Sequence, residues 1–122
     1  MWRARSPRTV TTMADDWKTP EVEALFEAIL RLDSIPETEA FFRDLCTLKE
    51  LRDMAQRWAV VRMLDAGLHY AEISKRTGAS TATITRIASW LNHGEGGYKS
   101  MLAKLDEVSR AGTTPYPVAG DR

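Results

Sequence analysis

The chain has 122 residues, 43% apolar and 28% charged, the composition of a single soluble globular domain with little chain to spare. No apolar run approaches the roughly 20 residues that cross a bilayer, and the opening MWRARSPRTV is not followed by the apolar stretch of a secretory signal, so a cytoplasmic protein without membrane contact is expected. A single cysteine, Cys46, with only His69 and His93 beside it, excludes a disulfide scaffold and offers no Cys/His metal-ligand pattern, so no metal or cofactor is expected; seventeen basic residues balance seventeen acidic ones.

Residues 1–16 mix Arg, Ser, Pro and Thr without periodicity and read as a disordered N-terminal extension. Arg3, Arg5 and Arg8 stand there as a basic arm, while Met13 offers an alternative start that would leave residues 1–12 an upstream addition. Residues 17–110 form the expected helical domain, and 111–122, rich in Gly and Pro, read as a disordered C-terminal tail. Within the domain charge is uneven. Residues 21–46 carry seven acids and two bases, a net of −5; residues 47–110 carry ten bases and seven acids, a net of +3. An acidic scaffold half and a mildly basic working half follow, although solvated helix faces would give the same pattern.

Thr19-Pro20-Glu21 is a helix start, with a capping hydroxyl, a proline suited to the first turn and an acid that complements the dipole. Val22, Leu25, Phe26 and Ile29 recur at helical spacing, which predicts a helix to about Leu32. Ser34-Ile35-Pro36-Glu37 starts a second, carrying Ala40, Phe41 and Leu45. Thr47 and Glu50 have capping-box spacing, and Leu51, Met54, Trp58, Val61 and Leu64 then mark a long third helix that ends near Gly67. A last helix is expected from about Tyr98 to Ser109, after the glycine-rich turn at His93–Gly97. Nothing reads as a strand, so the expected fold is all-α with five or six helices.

The segment Tyr70–Asn92 reads as a helix-turn-helix. A short helix holding Ile73 and the small Ser74 stops at Thr77-Gly78; Gly78-Ala79-Ser80 turn the chain; a second helix starts at Thr81 and turns Ile84, Ile87 and Leu91 inward. Its outer face would be Thr81, Ala82, Thr85 and Arg86, with Ser80 at its start: hydroxyls for phosphates or base edges, methyls for thymine methyl groups. Lys75, Arg76 and Lys99 are available for phosphates, and no carboxylate occurs from Ser74 to Asn92. The plain alternative is a helical hairpin with small residues for tight packing.

TGASTATITR, together with Thr47-x-x-Glu50 and Arg57, resembles the Trp repressor superfamily; WKTPEVEALFEAILRL, FFRDLCTLKEL, MAQRW and LNHGEGGY resemble its YerC/YecD branch of TrpR-related proteins. The resemblance runs from Trp17 to about Leu105. It implies an intertwined homodimer built from the N-terminal helices, with one helix-turn-helix per subunit. By the same resemblance, Arg57, Arg86 and Thr47 match the positions that hold tryptophan in the repressor. Two positions depart from it: a glycine is replaced by Ile87 and a small serine by Trp90. Two bulky side chains would fill the ligand's space, so tryptophan binding is not expected, and Arg57 is expected to pair with Glu50 or Asp53.

The expected function is therefore a sequence-specific DNA-binding transcriptional regulator of the repressor type. Double-stranded DNA and a second copy of the chain are its expected partners, the copy docking through Pro20–Leu32 and Pro36–Cys46. The competing function is a helical dimerisation or adaptor module whose helix-turn-helix does not read DNA; a third is a regulator gated by some other ligand. An enzyme is not expected, because the hydroxyls of Thr81, Thr83 and Thr85 have no base beside them and no nucleotide loop occurs.

Overall fold

The computed structural model describes residues 16–110; the expected tails, 1–16 apart from Asp16 and 111–122, lie outside them. The described residues form six helices and no strand: α1 (Pro20–Ile29), α2 (Ile35–Leu45), α3 (Leu48–Asp65), α4 (Tyr70–Thr77), α5 (Thr81–His93) and α6 (Gly97–Arg110). They divide into two compact units at Thr47 and Leu48.

In the first unit, the Thr19 hydroxyl accepts from the Val22 amide at 3.2 Å and caps α1 in front of Pro20. The helix stops at Ile29, three residues before the expected Leu32. Arg31 and Leu32 donate to Ala28 and Ile29, three residues back rather than four, so the last turn tightens to 3₁₀ geometry. Ser34 caps α2 by accepting from Glu37, whose carboxylate accepts in turn from the Asp33 amide at 3.1 Å. This reciprocal pair satisfies two amides that the helix start leaves open. Neither α1 nor α2 buries a single residue: Leu30 is 77% exposed, Ile35 63%, and Phe26 and Leu45 47% each. Phe41 and Phe42 meet edge to face, as do Trp17 and Phe26, and these ring pairs leave much apolar surface uncovered.

The second unit holds the core. Val60 and Val61 of α3, Ile73 of α4, Ala79 of the turn and Ile84 and Ile87 of α5 are buried, with Trp58, Leu64, Leu91, Tyr98 and Leu102 packed around them. Helix α3 lies against α4 and α5, α4 against α5, and α5 against α6. Trp58 and Tyr98 bring α3 and α6 together, ring centroids 6.2 Å apart. At the end of α3 the Leu68 amide donates to Met63 and the Gly67 amide to Leu64, with Gly67 at φ +87°. This paired closure needs a left-handed residue, hence the glycine. The turn before α6 is made by Gly94, where a Cβ would collide with the Trp90 carbonyl oxygen, and by Gly96 at φ +90°. Helix α6 then begins at Gly97, one residue earlier than expected.

Candidate nucleic-acid interface

The second unit presents α5 through a three-residue turn. The Gly78 amide closes α4 on the Ser74 carbonyl at 2.8 Å, and Gly78 itself sits at φ +81°, the left-handed conformation that redirects the chain. Ala79 is buried at 3% exposure, so its methyl anchors the turn in the core. Ser80 then caps α5, its hydroxyl accepting from the Thr83 amide at 3.1 Å. Inward-facing Ile84 and Ile87 lock α5 down and thereby decide what faces out: Thr81, Ala82, Thr85 and Arg86 are exposed, with Ser80 before them. All four share one side of the helix because positions i, i+1, i+4 and i+5 do.

Sequence reasoning missed one member of this arrangement. Gln56 of α3 donates from Nε2 to the Thr77 carbonyl at 3.0 Å, across 21 residues of chain. The Thr77 hydroxyl donates to Ile73 O at 2.7 Å and accepts from the Ala79 amide at 3.1 Å. No one-dimensional signal marks a glutamine one turn before the core residue Val60 as the partner of a turn.

The two cations at the end of α4 differ. Lys75 is exposed and acts on Glu72 only through its charge, as the smallest of the influences on that acid. Arg76 Nε instead binds Glu72 Oε2 at 2.6 Å, one turn back. The Arg76 hydrogen bond and charge hold the Glu72 carboxyl below its usual range. The stability linked to this pair is present above the ordinary carboxylate pKa and is lost as pH falls through the lowered one. Arg76 must give up this acid to hold a phosphate, so Glu72→Gln should strengthen binding to every duplex by roughly two- to fivefold, the worth of an exposed ion pair, with the slope of log affinity against log salt unchanged because the phosphate contacts are the same. Anisotropy titrations over a salt series measure it; a slope steeper by roughly 0.9 would mean that Arg76 stays on Glu72 in the parent complex and makes no phosphate contact there.

The model of the Trp repressor protein family matches residues 20–106. The chain belongs to the Trp repressor family. It is 43% identical over 94 residues to the protein YerC of Bacillus subtilis (strain 168), covering 77% of this chain and 90% of that one, which supports the YerC branch. Among solved structures it is similar to a TrpR-like protein from Eubacterium eligens ATCC 27750 (40% identity, TM-score 0.68, 81% of this chain and 96% of that one). It is also similar to a candidate Trp repressor from Staphylococcus aureus (35% identity, TM-score 0.73, 79% and 96%). The all-α architecture and the helical DNA-binding-regulator character of the family thus apply to this chain.

Of the positions that match the repressor's ligand site, Arg57 and Arg86 are exposed on α3 and α5, and Thr47 precedes α3. The expected Asp53 partner for Arg57 is instead bound by Lys49 at 2.9 Å, one turn back on α3. Ile87 is 1% exposed and belongs to the core, as its bulk suggests. Trp90 does not fill a cavity: it is 47% exposed. The reason is angular. At 100° per residue Trp90 falls roughly 90° from the centre of the stripe that carries Ile84, Ile87 and Leu91.

Proposed function

We propose that this chain is a sequence-specific, DNA-binding transcriptional regulator that represses as a cytoplasmic homodimer and does not respond to tryptophan. The observation that carries the proposal is the first turn of α5. Its outer face, Ser80, Thr81 and Ala82 with Thr85 one turn on, is exposed, and the turn has no acid, although a carboxylate there would complement the helix dipole. Helices α1, α2, α3 and α4 each hold such an acid; α5 and α6 do not, and of these two only α5 follows the helix-turn-helix turn. A surface that meets phosphates is better without one. Thr81, Ala82 and Thr85 are short and lie at the groove-facing start of the helix, so they read base edges. Lys75, Arg76 and Arg86 are long and grip the backbone, with Ser80 at the helix start beside it.

The test is a pair of substitutions measured on a selected duplex and a random one. Thr85→Ala should change preference at one base pair. Arg76→Ala should weaken all duplexes alike and flatten the salt slope by about one unit. If neither alters binding, the helix-turn-helix is a structural hairpin and the chain is an adaptor.

Two further parts of the proposal have their own checks. The open faces of α1 and α2, with Phe26 and Leu30 exposed, support pairing with a second copy, because apolar area contributes about 25 cal/mol per Å2 only when covered. Sedimentation at micromolar concentration should give twice the chain mass; a monomer would reject the dimer. Ile87 in the core leaves less room than a glycine would, which supports indifference to tryptophan. Calorimetry with millimolar L-tryptophan should show no saturable heat, and duplex affinity should not change with it.

A further inference from the structure

We infer that Gln56 is a positioning residue for DNA recognition: its bond to the Thr77 carbonyl holds the turn between α4 and α5 and so sets the angle at which α5 is presented. This inference rests on the DNA-binding reading above. The last carbonyls of a helix have no partner inside it. Thr77 O is one of these, and the Gln56 amide reaches it at 3.0 Å from the middle of α3. The same residue is tied twice more, through its hydroxyl to Ile73 O at 2.7 Å and to the Ala79 amide at 3.1 Å. Thr77 is therefore the point where α3, the end of α4 and the turn meet. Three residues later Ser80 caps α5, so a shift at Thr77 moves the start of α5 with it. Packing also acts here: the buried Ala79 methyl seats the turn, and Ile84 and Ile87 seat α5 one and two turns in. The bond from Gln56 adds a directed tie from α3 to the last residue of α4, which sets orientation where packing sets only depth. A Cβ added at Gly78 would come within 3.8 Å of the Gln56 amide nitrogen, which shows how closely the side chain backs the turn.

Two variants test it. Gln56→Met keeps length and loses the donor. Gln56→Glu keeps shape and loses the donor only while ionised. In the free protein, amide exchange at Ala79 should accelerate in Gln56→Met by roughly fivefold, the worth of one hydrogen bond. In Gln56→Glu the acceleration relative to the parent should fade as pH drops below about 4.3, where the carboxyl regains a proton to donate. A merely structural loss would not follow that pH profile. With duplexes, Gln56→Met should lower the ratio of affinity for a 20-base-pair site selected by the parent protein over a random duplex of the same length. The expected factor is roughly fivefold, with the salt slope unchanged because no phosphate contact is lost. Unchanged exchange at Ala79, or acceleration in Gln56→Glu that is flat with pH, overturns the inference. So does faster exchange with an unchanged affinity ratio. If the parent protein binds no duplex, the DNA-binding reading fails by itself, and exchange at Ala79 still decides whether Gln56 holds the turn.

Discussion

Ile84→Ala should destabilise the protein by about 3 to 4 kcal/mol, within the range for truncating a buried isoleucine. Ile84 is fully buried and is the first core residue of α5 after the cap. Its side chain lies in the cluster with Val60 and Val61 of α3, Ile73 of α4 and Ala79 of the turn. Six buried residues make up the core of the described chain, and the side chains packed around them, Trp58, Leu64 and Leu91 among them, can close only part of the space left by the missing carbons. Part of the cost is the lost transfer energy and part is the cavity. Urea unfolding followed by circular dichroism would read it as a lower midpoint at unchanged slope. The comparison needs equal protein concentrations, since association adds to apparent stability. A loss below about 1 kcal/mol would show that α5 is not held down by this side chain, far under the usual cost of such a truncation.

Ala82→Glu should abolish duplex binding for practical purposes, a loss of about 100-fold or roughly 3 kcal/mol, because a like charge is set against the phosphates. Ala82 is exposed in the first turn of α5, so the larger side chain meets no core residue. An acid at that point complements the helix dipole and adds stability, so lost binding cannot be put down to lost fold. The defect should shrink as salt rises and the repulsion is screened. Anisotropy titrations at two ionic strengths, with a thermal melt of the same sample, measure all three effects. Binding within a factor of about three of the parent, far from the penalty of a like-charge contact, would mean that the start of α5 does not face DNA.

Local chemistry makes the helix starts legible in the amino-acid sequence. Thr19, Ser34 and Ser80 each accept from an amide three residues on, as short hydroxyl side chains in front of a periodic segment do. Gly67 and Gly78 mark the helix ends for the same kind of reason: the left-handed conformation there is cheap only for glycine. The inward stripe of Ile84, Ile87 and Leu91 follows from a 3.6-residue period, and it settles the exposed face of Thr81, Ala82, Thr85 and Arg86 by subtraction.

What spacing could not supply was which groups meet across distant parts of the chain. Arg57 lies one turn from Asp53, but Lys49 on the other side of that acid takes it. Both Arg76–Glu72 and Lys49–Asp53 are i,i+4 pairs, so periodicity permits them, but it permits their competitors equally. Gln56 and Thr77 lie 21 residues apart and meet only because α3 and α4 pack on the same six buried residues. Caps, turns and periodic faces are decided by neighbours within about one helical turn, so they can be read along the chain. The partners of side chains that reach between helices depend on how whole helices pack, and that is visible only in the folded chain.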